Sequence, residues 1–370
     1  MPQKIPFANR TTFFAQILTF TVVALVLFSI QARADIKHEQ TIRKEIDIEG
    51  VNLLLVQSKS GDITIVGETQ RSVVSLKVIK RVKAENMEEA KKLADMMEIE
   101  VLRADGELKI ETKYPKEKGL RKSIFSYILQ RGPRMSMDIE CKVPANIEIN
   151  VRTASGDVAV SKLTAPVEVQ AASGDVEVYD VEADLEISVA SGDIDVKGVV
   201  GDVRLNSSSG DITTGKIYGR AEISTSSGDT EASEIGGDLE LHTASGDATV
   251  DGVGSVSYEG VSGTARFLDV RGGVTASAAS GDLSFMLVPD ANVDYSVKTA
   301  SGDIKFQFLK KMAGGFVLKA GTTTGDMSAN LAITISKVGR NHISGIVRDG
   351  KSKVLLETAS GDILITEPGE

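Results

Sequence analysis

From Val158 onward the chain alternates apolar and polar residues in short runs that return at a fixed interval. Val158/Val160, Val176/Val178, Ile194/Val196 and Ile212/Thr214 form one set of period-two pairs, continued more weakly by Thr230/Ala232 and Ala248/Val250. Five residues past the first member of each pair stands a single apolar residue: Leu163, Val181, Val199, Ile217, Ile235 and Val253. A second alternating pair follows: Val167/Val169, Leu185/Ile187, Val203/Leu205, Ala221/Ile223, Leu239/Leu241 and, one residue early, Val256/Tyr258. Such alternation predicts short strands with one dry face, because successive side chains of a strand point to opposite sides. Glu168, Glu177, Glu186, Asp195, Arg204, Glu222 and Glu240 fill the wet positions between. One turn of this chain cannot bury its own apolar face. The pattern therefore predicts coils stacked about 4.8 Å apart, each column forming a ladder. The expected fold class is all-β, a single-chain β-solenoid (β-helix).

The corners carry the period. Ser-Gly-Asp occurs ten times, and six copies, from Ser155 to Ser245, are spaced by 18 residues. Glycine at Gly156, Gly174, Gly192, Gly210, Gly228 and Gly246 is expected where the backbone takes positive φ. Asp157, Asp175, Asp193, Asp211, Asp229 and Asp247 are expected to be structural turn residues accepting hydrogen bonds from nearby backbone amides. The Ala and Ser residues before them are small enough for a tight bend. The competing reading has these carboxylates, about 5 Å apart from coil to coil, share metal cations. Calcium-binding nonapeptide coils have corners twice as dense as these, so no metal or other cofactor is assigned.

Toward the C-terminus the repeat loosens. Ser262-Gly263-Thr264 lacks the aspartate, Pro289-Asp290-Ala291-Asn292 lengthens a corner, and the 36 residues from Thr324-Gly325-Asp326 to Ser360-Gly361-Asp362 read as two coils. The corner between them would be Ser344-Gly345-Ile346 or Asp349-Gly350. Phe267, Phe285, Phe306, Phe308 and Phe316 imply wider coil interiors or a cap there. Residues 151–370 thus read as a regular and then degenerate solenoid.

Residues 35–150 read as an N-terminal coil and capping region. Val51–Val66 resembles one coil. Asn86 followed by Glu89 is a helix-start signal, and Met87, Ala90, Leu93, Ala94 and Met97 would share a stripe. Ile99–Val101 and Leu108–Ile110, joined at Asp105-Gly106, predict a hairpin. Such elements would cover strand edges that otherwise aggregate.

Residues 1–34 have the layout of a signal peptide: Lys4 and Arg10, an apolar run from Ile17 to Ile30, and Ala32-Arg33-Ala34 before an expected mature start at Asp35. The alternative is an uncleaved anchor over Phe13–Ile30. Export places the protein in the periplasm or at the cell surface. The single cysteine, Cys141, sits in the strand-like run Met137–Val143 and is expected to be buried and inert.

Charge separates the two regions. Residues 35–150 carry 21 Lys/Arg against 20 Asp/Glu, whereas 151–370 carry 18 against 32. An acidic rod argues against nucleic acid as a partner. Lys116–Arg134 departs from this, with six basic residues and one acidic. Arg121, Lys122, Arg131 and Arg134 are candidates for contact with an anionic membrane surface or a partner. The plain alternative is a loop whose apolar side packs on the solenoid.

No catalytic residues are assigned. His38, His242 and His342 are scattered, the corner serines have no attendant histidine, and Val151–Val261 contains no Trp or Phe on which a sugar could stack. A polysaccharide-active β-helix enzyme is the alternative, and carboxylates around Arg204 and Arg220 would be its place.

Thr153-Ala154-Ser155-Gly156-Asp157-Val158, the closing Glu357–Ile365 and Val143-Pro144-Ala145-Asn146 resemble the bacterial putative-adhesin family of β-strand repeat proteins, a domain of unknown function. The resemblance covers about residues 45–366. It implies a β-solenoid exported to the envelope, with some relatives tied to envelope stress, and carries no catalytic residues. The expected function is a non-enzymatic envelope protein, a scaffold or adhesin-like binding surface for an envelope protein, peptide or cell-wall component.

Overall fold

The computed structural model describes residues 36–115, 133–290, 292–311 and 314–368. The signal-peptide reading of residues 1–34, and Arg121, Lys122 and Arg131, lie outside the described residues. Two long sheets, of 15 and 16 strands, form the body. Each regular coil gives one strand to each sheet. Strands are numbered along the chain: β8 (Glu148–Thr153), β10 (Val167–Ala171) and β12 (Leu185–Val189) precede corners and belong to the larger sheet. β9 (Val158–Leu163), β11 (Val176–Val181) and β13 (Ile194–Val199) follow corners and belong to the smaller one. Neighbouring strands are parallel and in register, Val158 opposite Val176 and Val176 opposite Ile194. The 17-residue coil keeps register too, with Leu239 opposite Val256.

The lone apolar ladder has a backbone cause. Val160 and Leu163 lie an odd number of residues apart and yet both are buried. Lys162 sits between them at φ 62°, a left-handed residue that resets the alternation as a bulge does. Asp180, Lys216, Glu234 and Asp269 repeat this at φ 50–57°, and Gly198 and Gly252 occupy the same column at 75°.

Corner glycines are required by close approach. Gly228 has φ 122°, and a Cβ placed on it would lie 2.2 Å from the carbonyl oxygen of Gly210 in the neighbouring coil. The aspartates act between coils rather than within a turn. Asp175 N–H donates to Asp157 Oδ1 at 3.0 Å, Asp193 to Asp175 at 2.9 Å, and Asp211, Asp229 and Asp247 continue the ladder at 2.8 Å. The opposite corner has a second, shorter set: Asp202 N–H donates to Asp184 Oδ1 and Arg220 N–H to Asp202 Oδ1.

The interior changes along the rod. Near its middle the columns become small and polar, at Thr214, Thr230, Ala232 and Ala248. Further on it fills with rings: Tyr258 meets Phe267 edge-on, Phe267 stacks on Phe285 at 4.9 Å, and Phe306, Tyr295, Phe308 and Phe316 continue the spine.

Both ends are woven. At the N-terminal end, β2 (Leu53–Ser58) and β3 (Ile63–Glu68) form the coil next to β8 and β9. Beyond it lie β6 (Glu107–Lys113) and β7 (Arg134–Pro144), then β5 (Glu98–Ala104) in one sheet and β4 (Val73–Ala84) and β1 (Ile36–Asp47) in the other. The hairpin is β5–β6, antiparallel as expected. Helix α1 (Met87–Met96) packs on β1 and β4, started by Asn86, whose side chain accepts from Glu89 N–H. Ala90, Leu93, Ala94 and Met97 are buried, whereas Met87, expected on the same stripe, is exposed. Burial of Cys141 in β7 pushes its thiol up to about 12.

The C-terminal end corrects the two-coil reading of the residues between Asp326 and Ser360. The coil of β26 (Phe316–Thr324) and β27 (Met327–Asn330) is outermost. β28 (Thr334–Gly339) and β29 (His342–Val347) form an antiparallel hairpin added to β26. The last coil, β30 (Ser352–Ser360) and β31 (Ile363–Thr366), returns to insert between β26/β27 and the coil of β24 (Tyr295–Ser301) and β25 (Ile304–Phe308). Ser344-Gly345 therefore lies inside a strand and forms no corner. An edge strand gains a full ladder when another coil pairs with it, which lets chain order and spatial order differ here.

Candidate binding groove

The small residues before each corner do more than permit a bend. Where the strands of the larger sheet run into the corners, Ala154, Ala172, Ala190, Ser208, Ser226 and Ala244 form an exposed column. Outside it runs Arg152, Gln170, Ser188, Asn206, Ser224, His242 and Glu259. Together they line an open groove of about 1190 Å³ that extends from Glu111 and Thr112 of β6 to Ser277. It crosses ten strands, about 43 Å at the usual spacing between strands. Among the described residues no Trp, Tyr or Phe lines it. Lys59, Arg152 and Glu111 stand at one end, Glu259 at the other. His242 bridges Glu240 at 3.2 Å and Glu259 at 3.4 Å. The sequence offered one signal for this groove, the unbroken run of small residues, but their alignment along one groove depends on how the coils stack.

A second depression, of about 460 Å³, lies at the opposite corners among Glu148, Glu168, Glu186, Glu222, Arg204 and Arg220. This is the cluster anticipated for a polysaccharide enzyme, and both of its arginines are engaged in ion pairs. Arg204 donates to Glu222 at 2.9 Å, and Arg220 pairs with Glu240. The Arg204 guanidinium holds the Glu222 carboxyl below the usual carboxylate range, which suits a permanent ion pair better than a proton donor. On the other sheet Tyr179 donates to Asp195 Oδ2 at 2.8 Å, and this bond raises the phenol to about 12.

Asp157, Asp175, Asp193, Asp211, Asp229 and Asp247 stand in one exposed column, each using one carboxylate oxygen on the next coil. Among the described residues no three His, Cys, Asp or Glu side chains gather to hold a metal ion. Arg134 opens β7 opposite Lys83, exposed at the N-terminal end of the rod. Tyr114, just before residues 116–132, accepts from Met137 N–H at 3.0 Å, and burial raises its phenol to about 12.

Several solved structures share long stretches with this chain. A putative adhesin from Parabacteroides distasonis is 14% identical, covering 72% of this chain and 97% of its own, with a TM-score of 0.38. A putative lipid binding protein from the same organism is 16% identical over 88% and 97%, with a TM-score of 0.33. A putative cell adhesion protein from Clostridium sporogenes is 11% identical over 90% and 100%, with a TM-score of 0.23. Likeness at this level places no ligand on the present chain. No curated protein matches it. The family model of Toastrack DUF4097 matches residues 45–234 and again 218–366, nearly the whole solenoid. The chain belongs to the Toastrack DUF4097 family.

Proposed function

We propose that the protein is a non-enzymatic binding protein of the cell envelope, exported by residues 1–34, whose groove receives an extended segment of another polypeptide. The observation that carries this reading is the continuity of the groove across ten strands. Ala154, Ala172, Ala190 and Ser208 let a partner backbone approach closely, while Gln170, Ser188, Asn206 and Ser224 offer amides and hydroxyls to its peptide groups. The solenoid's own corner amides are engaged in inter-coil bonds, so side chains rather than an added strand would hold the partner. The lack of an aromatic ring among the described lining residues counts against a stacked glycan. The engaged ion pairs at Arg204 and Arg220 favour a binder over an enzyme. A link to envelope stress rests on family resemblance alone.

The test is a dodecapeptide display library panned on the wild type, with Ala190→Trp and Ser208→Trp as variants whose side chains fill the groove from exposed positions. Enriched peptides are expected to bind the wild type and to lose at least about tenfold in affinity, some 1.4 kcal/mol, in both variants at unchanged melting temperature. No enrichment, or peptides indifferent to both substitutions, would overturn the reading. Cleavage of envelope polysaccharides that disappears in Glu222→Gln would establish the enzymatic alternative.

A further inference from the structure

The two ends of the rod are finished differently. At the N-terminal end the smaller sheet overhangs by one strand, β1, and α1 packs on β1 and its neighbour β4. At the C-terminal end the larger sheet overhangs with β29 and β28, about 10 Å of sheet with no opposing strand in the smaller one among the described residues. No helix covers it among the described residues. Ile335 is 52% exposed and Val338 65%, on the face that continues the solenoid interior, opposite Gly345 and Ile343. Ile346 is 45% exposed on the other face.

Charge changes sign at the same place. Residues 151–303 carry 9 Lys/Arg against 26 Asp/Glu, whereas residues 304–353 carry 9 against 2. The register gathers part of this excess on one face. Lys337 and Lys319 both stand opposite Ser344, and Lys353 stands opposite Val317, itself opposite Ile346. Arg340 sits at the hairpin turn. Among the described residues these four cations make no ion pair within the protein, unlike Arg348 and Lys351 beside them.

We propose that the β28–β29 hairpin is a membrane-docking tip that seats the rod end-on upon an anionic bilayer surface. Lys319, Lys337, Arg340 and Lys353 would meet the anionic headgroups, and Ile335, Val338 and Ile346 would enter the boundary below them. The complementarity selects the occupant. A neutral protein partner would leave four cations unmatched, and a second copy's tip would oppose them with like charge. This inference stands apart from the peptide groove, which opens along the rod's flank.

Val338→Cys gives a local probe, because the only native cysteine, Cys141, is 1% exposed. A nitrobenzoxadiazole label there reports on the tip whatever residues 1–34 or Lys116–Arg134 contribute, and a label at Glu231→Cys on the rod serves as control. With phosphatidylglycerol vesicles at low salt the tip label is expected to shift blue and brighten and the rod label to stay unchanged. Phosphatidylcholine vesicles should leave both unchanged. Each cation removed should weaken partitioning about fivefold, so the Lys319→Ser/Lys337→Ser/Arg340→Ser/Lys353→Ser variant should lose two to three orders of magnitude. Half-molar salt should weaken the response in the same direction. A silent tip label, an equal response to phosphatidylcholine, or a response that survives the fourfold substitution would overturn the proposal. A tip label that shifts with protein concentration in the absence of vesicles would overturn it in favour of self-association.

Discussion

Thr230→Val tests the idea that the middle of the rod is its weakest layer. Thr230 is 2% exposed, in a column with Ile212 on one side and Ala248 on the other. Its Oγ1 is buried with no hydrogen-bond partner in the protein, as is that of Thr214 one coil earlier. A buried hydroxyl left unpaired costs about 1–3 kcal/mol. Valine replaces it with a methyl of nearly the same volume, so neither a cavity nor overpacking enters, and both residues suit a strand. The expected gain is about 1–2 kcal/mol. Coils touch only their neighbours, so the gain should be local before it is global. Native-state hydrogen exchange of amides in 212–217, 230–235 and 239–243 should slow about tenfold, while 63–68 and 363–366 change little. Thr230→Ala is the control, because it removes the hydroxyl but opens a void, and should gain nothing. Exchange in Thr230→Val as fast as in wild type, or faster, would refute the reasoning and mean that the hydroxyl is hydrogen-bonded in solution.

The corner aspartates predict a contrast between two substitutions. Asp193→Asn keeps an oxygen for Asp211 N–H and removes one of a row of like charges, so its melting temperature should match wild type within a degree or two. Asp193→Ala should melt several degrees lower, and calcium should move neither midpoint; equal melting of the two variants would discount the inter-coil bond. The left-handed column predicts opposite signs for glycine. Lys216→Gly should stabilise by about 0.5–1 kcal/mol in urea unfolding, because relief of left-handed strain, about 1–2 kcal/mol, exceeds the entropic cost of glycine in a strand, about 0.5–1 kcal/mol. Gly228→Ala should destabilise by more than 2 kcal/mol or prevent folding, because its Cβ meets the Gly210 carbonyl. A stable Gly228→Ala protein would show that the corners can shift to admit a side chain.

Much of the rod was legible in the sequence because its signals are local and repeated. The strand pairs, their register and the lone column Leu163–Val253 follow from period-two alternation and an 18-residue return, and the helix start at Asn86 and the β5–β6 turn follow from short-range hydrogen bonding. What stayed hidden depends on which coil lies beside which. Lys162 and Glu234 by themselves give no sign of a left-handed backbone, since a charged side chain suits either backbone on an exposed face; only Gly198 and Gly252 in the same column hint at it. The aspartates look like turn residues from sequence, yet their bonds run to the next coil because stacking brings Asp157 Oδ1 to Asp175 N–H. Residues 327–360 contain apolar alternation that suits two more coils equally well. Tertiary structure decided otherwise, pairing the last strands between earlier ones and leaving β28–β29 beyond the end of the opposing sheet. The groove arises the same way: alanine and serine columns are visible in the chain, but only the stacking of successive coils aligns them along one groove across ten strands.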